Sequence, residues 1–279
     1  MKRYLIALLA FTEFSLAAAA VTNTPIALGA FDLQFQVSPP YSTSGEIKRR
    51  LSAAATTTAY TLSKEKFHVI VPDTYTNDLS CGVFVWISPS PKPSIPHDWP
   101  EILAKHKLLF VSPYNADNNR GAIERCRLAL DASYNMRLRY RISPKRIYVS
   151  GFSGGGRVAS LLGVAYSDVF TGTIPICGVN FYMTISAGGD QVWNPGYKTQ
   201  PALLNTAKTS GRFVLITGDN DVNLHNTSAI YEQGFKQFGF AHVLYLQVPG
   251  MGHAIPSAEY LNRALDFVDT LKPLNPTPR

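Results

Sequence analysis

An α/β protein built on a mostly parallel sheet is what this 279-residue sequence predicts, and three observations carry the prediction. Short, unbroken apolar runs such as Val83-Phe84-Val85-Trp86-Ile87 have the pattern of strands buried on both faces. From residue 98 onward such runs alternate with helical patterns, as crossover connections between parallel strands require. One junction, Ser150-Gly151-Phe152-Ser153-Gly154-Gly155-Gly156, sets a serine among glycines between a β-branched run and a helix-forming one.

The elements follow in order. Residues 31–37 alternate apolar and polar side chains, the mark of an antiparallel strand with one face covered. A short basic helix is expected over 44–53, then a strand over 67–71 that Pro72-Asp73 ends. The strand at 83–87 runs into a Pro-rich loop, 88–96, followed by a helix over 98–106 and a buried strand over 108–111. A long helix is predicted over 120–140, the strand 147–149, and a helix from Gly154 to about Ala165. Strands at 172–176, 213–216 and 243–248 alternate with helices over 227–238 and 257–271. The Pro-rich end, 273–279, cannot extend the last helix and is expected to be loose.

Composition narrows the class. An apolar content of 46% against 16% charged residues fits a folded chain with a sizeable core. Residues 1–20 are read apart from it: Lys2 and Arg3, an apolar stretch from Tyr4 to Phe11, and small residues Ala17 to Ala20 follow the order of a secretory signal. That stretch is too short for a membrane span, and no other segment approaches one. The expectation is one catalytic domain over 21–279, with 21–64 as an N-terminal strand and helix extension, secreted or periplasmic. Removing the signal lowers the net charge from +7 to +6. No dense basic run with interleaved aromatics accompanies that charge, so a solvated cationic surface is favoured over nucleic-acid binding. Cys81, Cys126 and Cys177 lack metal-ligand spacing, so no metal is expected. Export permits one disulfide, and Cys126–Cys177 is the first choice because the predicted elements put both on the catalytic side of a parallel sheet.

The glycine-rich junction carries the chemistry. Strand, Gly-x-Ser-x-Gly, helix is the setting in which a serine sits on a sharp turn with its hydroxyl presented for attack. A phosphate cradle would need a Lys-Ser/Thr ending or a G-x-G-x-x-G pattern, and neither is present. Ser153 is thus the candidate nucleophile, and Gly154 the first donor to a developing oxyanion. A hydroxyl needs a base, and the base an orienting acid. Gly218-Asp219-Asn220-Asp221 and Gly250-Met251-Gly252-His253 each follow a predicted strand, where ligand-binding loops of open α/β sheets lie. His253 is the candidate base. Asp219 and Asp221 both compete for the acid; Asp221 is preferred, with Asp219 holding the turn. A second oxyanion donor is expected from the loop after Ile87, and since Pro89 has no N–H the candidates are Ser88 and Ser90.

Taken together, Trp86-Ile87-Ser88, the 115–120 loop, Gly151-Phe152-Ser153-Gly154-Gly155, Gly218-x-x-Asp221 and Gly252-His253 resemble a secreted serine esterase of the α/β-hydrolase superfamily. The nearest group is that of polyhydroxybutyrate depolymerases, feruloyl esterases and acetylxylan esterases, and the resemblance spans roughly residues 65–270. It implies the α/β-hydrolase fold with helices on both faces of the sheet. It also implies a cofactor-independent carboxylic ester hydrolase acting through an acyl-enzyme, on plant-polymer-linked or polyester-type esters, small or polymeric. One departure is plain: a His-Gly pair common after the first parallel strand is replaced by Ser88-Pro89. A serine peptidase of the same fold and a catalytically weak polysaccharide-binding homologue are the alternatives. Phe152, Trp99, Asn115, Tyr182, Trp193 and Tyr197 are candidate substrate contacts, with packing onto the body as the competing role. Asn115, Asn118, Asn119 and Arg120 share a loop that either meets a polar substrate group or caps the following helix.

Overall fold

The computed structural model describes residues 26–51, 61–187, 190–192 and 197–270. The expected signal segment, the C-terminal end expected to be loose, and Trp193 lie outside these residues. Strand β1 (Gly29–Gln34) is followed by α1 (Ser44–Leu51), β2 (Lys66–Val71) and β3 (Gly82–Ile87). Next come α2 (Trp99–Lys105), β4 (Leu108–Pro113), α3 (Ala122–Arg139), β5 (Ile147–Phe152) and α4 (Gly154–Ala165). Then β6 (Gly172–Ile176) precedes a small hairpin, β7 (Ile185–Ala187) and β8 (Asp190–Val192), and α5 (Pro201–Thr209). The chain closes with β9 (Arg212–Gly218), α6 (Leu224–Ala229), β10 (His242–Val248) and α7 (Ala258–Thr270).

Eight strands form one sheet in the order β1-β2-β4-β3-β5-β6-β9-β10. The pairings β1·β2 and β2·β4 are antiparallel; every other pairing is parallel, as expected. Every residue of β3, β4 and β6 is buried, so their continuous apolar runs reflect two covered faces. Alternation along each strand sorts the core. Val83, Val85 and Ile87 face one layer with Ile47, Leu128 and Leu162, whereas Phe84 and Trp86 face another with Trp99, Leu103, Leu261 and Leu265. A third cluster, built on Phe213, Phe235 and Phe240, covers the β9 end.

Several boundaries differ from expectation for identifiable reasons. After Gln34 the chain leaves β2, and the Asn135 side chain of α3 takes its backbone instead, donating to the Val37 carbonyl at 2.6 Å. The helix expected over 227–238 starts earlier, at Leu224, and its last part is a π-helical turn, Ile230–Phe235. There the Phe181 ring packs against Gly234, where a Cβ would sit 3.3 Å from it. Helix α5 was not foreseen, although Pro201 at its start is a regular helix-opening signal.

The expected Cys126–Cys177 bridge is corrected: both are buried free thiols. Cys126 sits in the layer under Val83 and Val85, Cys177 in the layer under Phe84 and Trp86, so the sheet separates them. Burial pushes both thiols up to about 12, which keeps them protonated. No helix among the described residues is long and apolar enough to cross a membrane.

Candidate active site

Three loops meet at the edge formed by the carboxyl ends of β5, β9 and β10, which run parallel. At the end of β5, Ser153 holds φ 55° and ψ −117°, a left-handed backbone that a side chain rarely adopts. Its neighbours make the turn possible. A Cβ on Gly155 would lie 1.9 Å from the Ile87 carbonyl oxygen, and one on Gly151 would lie 2.5 Å from the Gly155 backbone. The first turn of α4 therefore presses directly on β3 and β5, and glycine alone allows that approach. The Ser153 N–H donates to the Ile176 carbonyl at 2.8 Å, which fixes the turn to β6.

The loops after β9 and β10 are zipped to each other. Asp219 N–H donates to the Val248 carbonyl at 3.1 Å, and Asn220 N–H to the Met251 carbonyl at 3.0 Å. His253 Nδ1 lies 2.7 Å from Asp221 Oδ1, and His253 Nε2 lies 2.9 Å from Ser153 Oγ. Asp219, by contrast, is exposed. The Asp221 side chain is wholly buried, and Oδ1 also accepts the Asn223 N–H at 3.0 Å while Oδ2 accepts the Thr217 hydroxyl at 2.8 Å. Burial alone would push this carboxyl up; hydrogen bonds from the Asn223 N–H, His253 and Thr217 outweigh it and hold it below its ordinary value. An ionised carboxylate only accepts, so Nδ1 carries the ring proton and Nε2 offers its lone pair to Ser153. Phe152 stacks obliquely on the His253 ring, centroids 4.9 Å apart.

Side chains that local motifs did not mark complete the support. Asn223 donates to the Cys177 carbonyl at 2.9 Å and accepts from Arg157 Nη2 at 3.0 Å, tying the acid loop to β6 and α4. The clustering of Asn and Asp over 219–223 is the signal that marks such a turn. Cys177 has φ 51° and donates its thiol to the Ala254 carbonyl at 3.3 Å. Its sulfur, an Asp221 oxygen and a His253 nitrogen lie within 4.8 Å of one another. With the thiol protonated and both carboxylate oxygens committed, that grouping suits proton transfer rather than metal binding.

The other candidates scatter. Gly154 is the first residue of α4, where a helix N–H has no intrahelical partner. Ser88 is 1% exposed, and the Ser90 N–H is taken by the Ser88 hydroxyl at 3.0 Å. Asn115 is exposed and its N–H donates to the Pro91 carbonyl at 2.7 Å. Two aromatic expectations are corrected. Trp99 is fully buried against Phe84 and Trp86, with its indole N–H on the Pro256 carbonyl at 3.1 Å, so it braces the His253 loop from inside. Tyr197 is 3% exposed and belongs to the core. Tyr182 is half-buried on Phe181, Phe238 and Phe240.

No protein-family model matches the chain. A 69-residue stretch is 33% identical to poly(3-hydroxyalkanoate) depolymerase C of Paucimonas lemoignei, covering 24% of this chain and 17% of that one. Among solved structures, S-formylglutathione hydrolase (FrmB) of Staphylococcus aureus superposes with TM-score 0.54 at 13% identity, over 86% of this chain and 98% of that one. LpqC, a poly(3-hydroxybutyrate) depolymerase from Bordetella parapertussis, gives 0.52 at 16%, over 76% and 86%. A putative dipeptidyl aminopeptidase IV from Bacteroides ovatus gives 0.53 at 15%, over 72% of this chain but only 33% of that one. The likeness is one of fold.

Proposed function

We propose that this chain, which has the α/β-hydrolase fold, is an exported serine hydrolase of carboxylic esters that works through an acyl-enzyme. One observation carries the reading: a buried carboxylate, an imidazole and a serine hydroxyl are linked in series at 2.7 and 2.9 Å, on three loops of one sheet edge. Ser153 Oγ attacks the ester carbonyl carbon while His253 Nε2 takes its proton. Asp221 keeps the ring in the required tautomer and balances the imidazolium that forms. The Gly154 N–H donates to the oxyanion, together with a second donor at the same edge. His253 then passes its proton to the departing alcohol, and water, activated by the same nitrogen, hydrolyses the acyl-enzyme.

The short match to a polyester depolymerase and the structural likeness to LpqC favour polyester or polymer-linked esters as the substrate class. The superposition on a dipeptidyl aminopeptidase keeps amides as the competing substrate. The test is hydrolysis of short p-nitrophenyl esters, feruloyl and acetyl saccharides, polyester films and peptide amides by wild type and Ser153→Ala. Ester cleavage that disappears in Ser153→Ala supports the reading; cleavage of amides alone would replace it with a peptidase.

A further inference from the structure

We infer that Asn118 is the second oxyanion donor, offering its side-chain amide in place of a backbone N–H from the loop after β3. The inference rests on the reading of Ser153 as nucleophile. It begins with what the β3 loop lacks. Pro89 has no N–H, and the Ser90 N–H is already spent on Ser88 Oγ. Ser88 itself is 1% exposed, so its amide is cut off from the cleft.

Asn118 is exposed and lies over the elbow. Its backbone N–H donates to the Pro89 carbonyl at 3.3 Å, which pins the loop after β4 to the loop after β3. Its side chain rests against Gly154: a Cβ built on that glycine would fall 2.0 Å from Asn118 Oδ1. The carboxamide thus stands beside the residue whose N–H is the first donor.

The direction of the amide follows from its partner. Arg125 Nη1, from α3, donates to Asn118 Oδ1 at 3.2 Å, and Nη2 donates to the Ser88 carbonyl at 3.3 Å. A guanidinium has donors only, so the atom it faces must be the oxygen, and Nδ2 points away from it. Among the described residues Asn118 Nδ2 has no hydrogen-bond partner. Arg125 is 4% exposed, its guanidinium donates to the neutral Asn118 and Ser88 oxygens with the Asp117 charge acting on it from nearby, and among the described residues its Nε has no partner. A buried cation on neutral acceptors is costly unless its field is used. Here it polarises the Asn118 amide and sits one residue behind the place where negative charge develops, where such a donor is worth most. Nothing else is consumed: the two N–H donors hold the oxyanion as Oγ bonds to carbon, and release it when the carbonyl re-forms.

The experiment compares wild type, Asn118→Leu, Asn118→Gln and Ser153→Ala on p-nitrophenyl acetate, with melting temperatures for each. Leucine keeps the size and removes the donor together with the Oδ1 acceptor of Arg125, whereas glutamine keeps both groups. The expected result is kcat lowered about 10²- to 10³-fold in Asn118→Leu with KM within threefold and a melting temperature lowered by only a few degrees, and partial recovery of kcat in Asn118→Gln. Asn118→Leu retaining a third or more of kcat, while Ser153→Ala is inactive, overturns the assignment and leaves the nucleophile standing. Full activity in Ser153→Ala, or a wild type inert to both the ester and a fluorophosphonate, overturns both.

Discussion

Asp221 Oδ1 stands 2.7 Å from His253 Nδ1, inside a pocket of donors that also engages its second oxygen. Two residues earlier, Asp219 faces solvent and contributes only its backbone to the turn. The two carboxylates are therefore separable by experiment. Asp221→Asn should lower kcat on p-nitrophenyl acetate about 10³- to 10⁴-fold, because an amide can hold the ring in the wrong tautomer. Asp219→Asn should stay within twofold of wild type, measured in the same assay.

Gly155→Ala tests the elbow as a packing problem. Its new methyl would need the space 1.9 Å from the Ile87 carbonyl oxygen, a backbone atom that cannot swing aside. We expect a loss of at least about 3 kcal/mol in urea unfolding, or no soluble protein, as for severe overpacking. A variant as stable as wild type would mean that β3 and α4 approach less closely than described.

Trp99 separates stability from binding. Since it is buried and bonded to the Pro256 carbonyl, Trp99→Phe should cost about 1–2 kcal/mol of stability while leaving KM for small esters unchanged. A selective rise in KM would return it to the substrate surface.

Trp99 and Tyr197, which the sequence left between cleft and packing, are buried in the core. A sequence position shows that a ring is near a loop, but the side of the sheet it covers depends on layers that only the assembled fold defines. The same ignorance misplaced Cys126 and Cys177, which pack in the layers on opposite faces of the sheet. Ser153, Asp221 and His253 were legible because each stands in a short motif just after an apolar strand. Asn223 and Arg157 were not, since their roles arise from bonds across 46 and 66 residues of chain. The Arg125–Asn118–Ser88 link is of the same kind.

Asp131 predicts a pH dependence of stability. It is fully buried in α3, with Oδ1 accepting the Ser42 hydroxyl at 2.8 Å and Oδ2 without a partner among the described residues. Burial pushes its carboxyl from 3.8 up to about 7. The folded chain thus holds a proton that the unfolded chain releases between these values, and this group's contribution falls as pH rises through that window. Asp131→Asn should remove the dependence. Its unfolding free energy relative to wild type should be higher at pH 8 than at pH 4.5 by a few kcal/mol, read by urea denaturation. Parallel pH profiles for the two proteins would contradict it.

If Ser153 is the nucleophile, covalent labelling reads it. Wild type treated with a fluorophosphonate should gain one adduct by intact mass, mapped to the peptide carrying Gly151-Phe152-Ser153-Gly154. The adduct should vanish in Ser153→Ala and form far more slowly in His253→Ala, both folded. An adduct on another residue, or equal labelling of wild type and Ser153→Ala, would contradict the account.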